Sequence, residues 1–387
     1  MKKDQAIIKK SNVKLFLSAL LEHRPMSRTD LARKIEISPT SVTRISSFLI
    51  SKGLIAETST VSKGIGRHAV MLDTVSSGAY ALGIELTGSS LRFAITDLHN
   101  YCVATKTVEY SVMLCSIEKL AEDIYSEGMK FLGENQILYE KVMGIGVAIP
   151  GIVNHTNEMV DFSTQLKWKN QNILGYLRPL FNKPMIIEND TKARIRGEKA
   201  SHNIPDGIDS AILVIGSGVS AAAVSRENVV RGFRNAAGEI GHITLEADGI
   251  MCDCGRRGCL QTRLCDKFLI SEAQKYDADI TSVPDLVKAY EDKKEWAADI
   301  FNKFRASFHL AIDILESCYN PAVIIVSGHM VEHIKDMLEK WAGEYSADKG
   351  RCVSIIVTVT KSNIAAVGSS IIALDTYITN LVDDINM

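Results

Sequence analysis

One imidazole and three thiols lie close together between residues 242 and 259 of this chain. They belong to His242, Cys252, Cys254 and Cys259. A set of three cysteines and one histidine is a common ligand set of tetrahedral structural zinc. The same segment contains three glycines, which let a short loop fold back around one ion. The segment therefore predicts a zinc loop.

Two other interpretations of these cysteines are weaker. Three unconnected thiols are not expected to cluster around one histidine, and Cys252 and Cys254 are too close in sequence to form a disulfide without strain. Four protein ligands also complete the tetrahedral shell of zinc and leave no position for a substrate. We therefore expect a structural zinc ion that orders a loop whose other residues have a separate role.

The length and composition are typical of a soluble protein with a large core. The 387 residues are 46 % hydrophobic, which suggests two or three domains. The first ten residues hold four lysines and are too charged for the apolar centre of a signal peptide, and no apolar run approaches a membrane span. We expect a cytoplasmic protein. The five remaining cysteines are scattered singly, as reduced cysteines of that compartment usually are.

The charge is distributed unevenly along the chain. Residues 1–72 hold 13 Lys and Arg against 5 Asp and Glu, a net charge of +8, while residues 73–387 hold 31 against 41, a net charge of −10. A basic head on an acidic body suggests that the head binds a polyanion. Charge alone would fit a solvated basic surface equally well, so the decision depends on the pattern of the head.

The head has the pattern of a helix-turn-helix domain. Apolar residues between positions 13 and 21 predict a first helix that ends before Pro25. Ser27 with Asp30 predicts a capped second helix, and Ser38 with Pro39 predicts the start of a third. The later helix of such a pair inserts its N-terminal side chains into the DNA major groove. The base-reading candidates are Ser38, Thr40, Ser41, Thr43 and Arg44.

Two strands after the third helix would complete a winged domain. Residues 54–57 and 69–72 are suited to pair around the intervening segment, whose centre is glycine-rich and basic. Lys63 and Arg67 at this tip would bind phosphates, or Arg67 would enter a narrow minor groove, or the segment is a structural turn. Three-helix heads also occur as protein-docking modules, but the charge and the wing favour DNA.

From Tyr80 onwards, strand and helix patterns alternate. Strands are predicted near residues 80–85, 91–95, 101–110, 142–149, 185–187, 211–215, 324–326 and 355–360. This alternation predicts a mixed α/β body with two lobes and a cleft at the strand ends. We divide the chain into residues 1–75, the winged helix-turn-helix domain, and residues 76–387, a two-lobed domain that contains the zinc loop 242–259.

Several motifs of the body resemble those of the ROK family, named for repressors, open reading frames and kinases. They are Pro150-Gly151, Glu188-Asn189-Asp190, Gly216-Ser217-Gly218, the Ala-Gly-Glu-Ile-Gly-His segment at 237–242, and the Cys-x-Cys-Gly-x-x-Gly-Cys segment from Cys252. The resemblance covers essentially the whole chain, because the repressor branch carries a winged head before a sugar-kinase body. It implies an actin-like, hexokinase-like duplicated fold with a sugar site between two lobes, and zinc on His242 and the three cysteines.

The two phosphate loops of the kinases are altered here. Family kinases carry an Asp-x-Gly-Gly-Thr loop after the first strand, whereas this chain has Glu85 and Thr87 at the positions of the acid and of one glycine. In the second loop, Ser220 and Ala222 stand where glycines would give clearance. Because both loops are altered, we predict that ATP is not bound productively and that the protein is not an enzyme.

The sugar side of the family pattern is better kept. The resemblance implies that Asn189, Asp190 and Glu239 bind sugar hydroxyls, and we assign His242 and Gln261 to the same sugar-binding set. Carboxylates and amides suit a polyol, because they accept and donate several hydrogen bonds. Gln261 replaces a family glutamate, which leaves the identity of the sugar open. Asp190 would alternatively serve as a helix N-cap.

These observations lead to two hypotheses. The first is a sugar-responsive transcriptional repressor that binds an inverted-repeat operator in double-stranded DNA as a homodimer or a dimer of dimers, and that a sugar or sugar derivative releases. The second is an ATP-dependent ROK sugar kinase with an appended DNA-binding head. Only the second would consume ATP when offered sugar.

Overall fold

A computed structural model describes residues 2–61, 69–348, 353–359 and 361–381. The head begins with three helices and a short strand, and two longer strands follow. In chain order these are α1 (Lys2–His23), β1 (Met26–Ser27), α2 (Arg28–Lys34), α3 (Pro39–Ser51), β2 (Ile55–Val61) and β3 (Ala69–Thr74). The strands form one antiparallel sheet in the order β1-β3-β2. The winged helix-turn-helix is confirmed, with a third strand that sequence patterns did not predict.

The next part of the chain alternates strands and helices up to residue 189. The elements are β4 (Tyr80–Leu86), β5 (Ser90–Asp97), β6 (Cys102–Glu109), α4 (Ile117–Glu134), β7 (Val142–Ile149), β8 (Ile152–Asn154), β9 (Met159–Ser163), β10 (Trp168–Gln171), α5 (Ile173–Phe181) and β11 (Met185–Asn189).

The remainder contains most of the helices. The elements are α6 (Asp190–Ser201), β12 (Ser210–Ile215), β13 (Val219–Ser225), β14 (Asn228–Val229), α7 (Gln261–Leu264), α8 (Asp266–Ala273), α9 (Val283–Glu291), α10 (Glu295–Tyr319), β15 (Val323–Ser327), α11 (Val331–Asp348), β16 (Ser354–Val357) and α12 (Ile364–Asn380). Within the described ranges, no helix is long and apolar enough to cross a membrane.

The chain divides into two compact units. The first comprises Met1–Gly151, His155–Glu188 and Ala366–Met387, and the second comprises Ile152–Asn154 and Asn189–Ala365. Each unit contains a five-stranded sheet, ordered β11-β7-β4-β5-β6 in the first and β14-β13-β12-β15-β16 in the second. The two sheets share one pattern. In the first, β4 pairs antiparallel with β5 and parallel with β7. In the second, β12 pairs antiparallel with β13 and parallel with β15. The duplicated α/β architecture expected from the resemblance is therefore present.

The head shares an apolar cluster with the rest of the first unit. Buried residues of the head, among them Phe16, Leu49 and Leu72, belong to the same cluster as Leu374 and Ile378 of α12. A polar contact joins the same parts, because Arg24 Nη1 donates to Thr74 Oγ1 at 3.1 Å and also contacts the ring of His99, between β5 and β6. The head is thus packed onto the body through side chains as well as joined to it by the segment after β3.

Candidate functional site

The Glu-Asn-Asp motif lies where β11 gives way to α6. Asn189 is the N-cap of α6, since its side-chain oxygen accepts from the Lys192 N–H at 3.1 Å. Its amide group donates to Asp190 Oδ1, also at 3.1 Å. Asn189 rather than Asp190 therefore caps the helix, and the Asp190 carboxylate accepts from the Asn189 amide instead of serving as the cap.

Asp190 is held in an environment that opposes its ionisation. Burial raises the pKa of its carboxyl group, and the positive charge of Arg194 acts in the opposite direction. The negative charge of Glu239 adds a smaller upward shift of the pKa, which places the two carboxylates within electrostatic reach of each other. Because a buried carboxyl group has lost hydrogen bonds to water, it gains from accepting a hydrogen bond from a ligand hydroxyl.

Glu239 and His242 are held against the second sheet by two glycines. A β-carbon at Gly238 would lie 1.9 Å from the Ala221 carbonyl oxygen, and one at Gly241 would lie 2.1 Å from that of Val219. Only glycine permits this approach to β13. Glu239, between them, is exposed, and its Oε2 lies 4.0 Å from His242 Nε2.

The four expected metal ligands converge. Their ligand atoms all lie within 4.8 Å of one another, with 3.6 Å between the Cys254 and Cys259 sulfurs and 3.7 Å between Cys252 Sγ and His242 Nδ1. Zinc bond lengths predict about 3.6–3.8 Å for the edges of such a tetrahedron. The residues therefore fit a metal ion of this type.

The thiols of this cluster differ in acidity. Burial opposes the ionisation of Cys254, but hydrogen bonds from the Arg256 backbone and guanidinium lower its pKa to about 6. Burial and hydrogen bonds with the neighbouring thiols raise the pKa of Cys259 to about 12. Gln261, which is buried, donates through Nε2 to Cys252 Sγ at 3.2 Å. Its amide group thus contacts the metal cluster directly.

The hairpin of the first sheet carries the first altered phosphate loop. Thr87 Oγ1 accepts from the backbone N–H of Ser90 at 2.9 Å and from that of Ser89 at 3.3 Å. The buried Glu85 carboxylate is paired with Arg92 at 3.3 Å. The Ser89 and Ser90 amides are thus hydrogen-bonded within the loop itself, and the acid beside the loop is paired with a cation.

The corresponding hairpin of the second sheet carries the second altered loop. Residues from Val219 onwards form β13, so only residues 216–218 are a turn. His329 covers this turn, because a β-carbon on Gly216 would lie 2.6 Å from His329 Nδ1. His329 Nε2 lies 2.9 Å from Asp266 Oδ2, and this bond lowers the pKa of the Asp266 carboxyl group. Ser220 Oγ lies 2.8 Å from Thr191 Oγ1.

The candidate base-reading residues lie at the start of α3. Thr40, Thr43 and Arg44 are exposed. The hydroxyls of Ser38 and Ser41 lie 2.9 Å apart, and Ser38 also caps the helix by accepting from the Ser41 N–H. The expected wing-tip residues Lys63 and Arg67 lie outside the described residues.

Sequence patterns missed three side chains near these sites. Arg194 follows Asp190 by one helical turn, while Asp266 and His329 come from segments far apart in sequence. The helical i, i+4 spacing was a usable signal for Arg194. No local pattern indicates the other pair, because their contact depends on tertiary structure.

Comparison with known proteins agrees with this architecture. The ROK family model matches residues 81–376, and the MarR family model matches residues 15–60. The xylose repressor of Bacillus subtilis is 22 % identical over 380 residues, which cover 97 % of this chain and 98 % of that protein. The chain belongs to the ROK family, and a MarR-type winged helix precedes its ROK domain.

Two solved structures share the fold. The crystal structure of a ROK family transcriptional regulator, a homolog of the E. coli MLC protein, superposes with a TM-score of 0.78 at 23 % identity, covering 96 % of this chain and 97 % of that one. The ROK hexokinase of Thermus thermophilus superposes with a TM-score of 0.65 at 19 % identity, covering 76 % of this chain and 97 % of that one. The kinase match extends over a smaller share of this chain than the regulator match does.

Proposed function

We propose that this protein is a sugar-responsive, DNA-binding transcriptional repressor that a sugar or sugar derivative releases from its operator. The observation that carries the proposal is the combination of a winged helix-turn-helix head with a ROK domain whose first phosphate loop is closed by Thr87. The named relative in Bacillus subtilis is a xylose repressor, which supports the class of function. The sugar bound by this chain is a separate question.

The alternative is a ROK sugar kinase with a DNA-binding head, and Asp190 is the residue that would act as its base. Against it stand two independent features. The amides of the first hairpin bond to Thr87 Oγ1, and the turn of the second hairpin is covered by His329. Phosphoryl transfer depends on positioned phosphate contacts, so these features favour a protein without kinase activity.

The effector would be bound by residues of the second unit. Asn189, Asp190 and Glu239 would hold sugar hydroxyls, since their oxygens and amide group accept and donate hydrogen bonds in the pattern a polyol needs. His242 and Gln261 contact the cysteine cluster. They would affect sugar binding by holding the segment that carries Glu239 in place.

A zinc ion at His242, Cys252, Cys254 and Cys259 would be structural. All four positions of a tetrahedral shell would come from the protein, which leaves none for a reacting group. The ion would tie His242, three residues after Glu239, to the loop that ends at Cys259. Metal binding would therefore stabilise the effector-binding conformation of Glu239.

DNA would be recognised by α3 and by the wing. Thr40, Thr43 and Arg44 would contact bases, Ser38 and Ser41 would lie at the entry of the helix into the major groove, and Lys63 with Arg67 would contact the backbone or the minor groove. A homodimer, or a dimer of dimers, on an inverted repeat would place two heads on two half-sites.

The test is a binding titration with fluorescent operator DNA selected from a random library, with and without sugars. The wild type should lose operator affinity when the effector is added. Asp190→Ala should bind the operator like the wild type and fail to respond, because the effector has lost its main acceptor. Asp299→Ala, which removes an exposed carboxylate from α10, is the matched control and should respond normally. A sugar response that survives in Asp190→Ala would place the effector elsewhere.

A further inference from the structure

We propose that the effector is an acidic sugar, carrying a phosphate or carboxylate group, and that Arg194 recognises this group. The inference rests on the proposed function, because it assumes that a sugar occupies the region of Asp190 and Glu239. It adds the chemical class of that sugar and the residue that selects it.

The position of Arg194 follows from the geometry of α6. Asp190 is the first residue of this helix and Arg194 comes four residues later. Residues with this spacing lie on one face of a helix, and side chains lean towards the helix N-terminus. The guanidinium of Arg194, which is half-buried, is therefore directed towards the end of α6 where Asp190 lies.

Arg194 differs from the other basic residues of its helix. Lys192 donates to the Asn235 carbonyl oxygen at 2.9 Å, Arg196 pairs with Asp206 at 2.9 Å, and Lys199 donates to the Ile208 carbonyl oxygen at 2.5 Å. The side chain of Arg194 makes no hydrogen bond or ion pair with any residue in the described ranges. It is the basic side chain of α6 that remains available for a ligand.

The electrostatics of the site require such a cation if the ligand is an acid. Asp190 and Glu239 are both carboxylates, and together they would repel an anionic ligand. The charge of Arg194 already acts on Asp190, lowering its pKa against the effect of burial. Because Arg194 and Asp190 form no direct ion pair, a ligand group can contact the guanidinium without displacing the carboxylate.

The chemistry of the guanidinium selects the ligand group. Its planar fork donates two parallel hydrogen bonds to a phosphate or a carboxylate, and such charge-assisted bonds are stronger than those to neutral hydroxyls. A neutral sugar would use Asn189, Asp190 and Glu239 without Arg194. The site therefore fits a ligand with hydroxyls at one end and a negative group within reach of Arg194.

The experiment is calorimetric titration of the full-length, zinc-replete protein with matched probes. The probes are glucose, glucose 6-phosphate and glucuronate, together with N-acetylglucosamine and its 6-phosphate, and xylose with xylonate. We expect the acidic member of at least one set to bind at least about tenfold more tightly than its neutral member, as charge-assisted bonds imply. Preference for the phosphates or for the carboxylates identifies the group.

Three variants test the role of Arg194. Arg194→Gln should remove the preference for the acidic probe, raising its dissociation constant about 10- to 100-fold, and should leave the affinity for the neutral probe within about twofold. Arg194→Lys keeps the charge without the planar fork, so its dissociation constant for the acidic probe should lie between those of the wild type and Arg194→Gln. The Lys variant also tests the proposal if Arg194→Gln folds poorly. Arg305→Gln, which removes a cation that pairs with Glu344 on the surface, should behave like the wild type.

Two results would overturn the inference in different ways. If neutral probes bind as tightly as acidic ones and Arg194→Gln changes neither, Arg194 only offsets the charge of Asp190, and the proposed function stands without the acidic effector. If none of the probes binds or alters operator affinity, the sugar-responsive function fails and the acidic effector fails with it.

Discussion

His329 Nε2 lies 2.9 Å from Asp266 Oδ2, and this contact holds the His329 imidazole against Gly216. The turn at Gly216 is the counterpart, in the second sheet, of the turn at Thr87 in the first. Side chains of the protein contact the backbone of both turns, in two different ways. In the first turn, the Thr87 hydroxyl accepts from two backbone amides. In the second turn, the His329 ring lies against Gly216.

The first prediction concerns catalysis. The wild type should show no detectable sugar phosphorylation, because Thr87 Oγ1 engages two amides of the first hairpin and His329 lies against Gly216 in the second. The measurement uses radiolabelled ATP with any probe sugar that binds, and the Thermus thermophilus hexokinase is the positive control. Turnover in the ordinary range of enzymes, about 1–10³ per second, would contradict the regulator interpretation.

The second prediction concerns the metal. The purified protein should contain about one zinc per chain, and Cys254→Ser should lose the metal and disorder the loop that follows Glu239. Cys318→Ser, at an exposed cysteine outside the cluster, should retain it. Elemental analysis of the three proteins gives the answer. Metal-free wild type that still binds its effector would show that the cluster has another role.

The third prediction concerns pH and Asp190. Because its folded-state pKa is raised, the folded protein binds more protons than the unfolded chain between the unfolded value of about 3.9 and the higher folded value. Stability should therefore decrease as pH rises through this window and remain lowered above it. Asp190→Asn removes this contribution, so its midpoint of urea unfolding should exceed that of the wild type at neutral pH. If Asp190→Asn were less stable than the wild type at neutral pH, the ionised Asp190 would stabilise the fold, contrary to this prediction.

The fourth prediction concerns DNA. Arg44→Ala should weaken specific binding by about 1–3 kcal/mol if the exposed guanidinium makes a bidentate base contact. Lys63→Ala should instead lower affinity evenly across sequences and reduce the salt dependence. The two variants are each other's control in anisotropy titrations with operator and random DNA. Equal binding of the wild type to both DNAs at physiological salt would refute specific recognition.

The fifth prediction concerns the core shared by the head and α12. Leu374→Ala removes a fully buried side chain of that cluster and should lower the free energy of unfolding by about 2–5 kcal/mol. Leu114→Ala, at a largely exposed leucine, should change it by less than about 0.5 kcal/mol. Urea unfolding gives both values, and operator binding should weaken in the Leu374 variant. An unchanged Leu374→Ala protein would show that the head is stable without α12.

Local signals were sufficient for the elements that carry the motifs. The cap residues Ser27 and Ser38 predicted the starts of α2 and α3, and the structure confirms both hydrogen bonds. The strands β4, β7 and β12 were predicted near residues 80–85, 142–149 and 211–215 from the alternation of strand and helix patterns, and the structure contains all three. Asp190 was less certain, because an acidic residue at a helix start fits both a cap and a ligand-binding role, and only the bond from Lys192 N–H to Asn189 decides it.

Short strands and tertiary contacts were not predicted from the sequence patterns. The strands β8 to β10 and the strand β13 have short or mixed patterns. Residues 219–222 were interpreted as loop, although Val219–Ser225 form a strand. The segment that joins head and body gave no indication that Leu374 packs into the head's cluster. Such a contact depends on residues about 300 positions apart, for which a single sequence contains no periodic signal.

The apolar cluster shared by the head and α12 has a consequence for the order of events during synthesis. A ribosome makes the chain from its N-terminus, so α1 to β3 are released while Leu374 and Ile378 have not yet been made. Until α12 follows, the inner face of the head remains open to water or to chaperones. A nascent chain would therefore complete the core of its head only after the second compact unit has been translated, so folding of the winged helix depends on synthesis of nearly the whole chain.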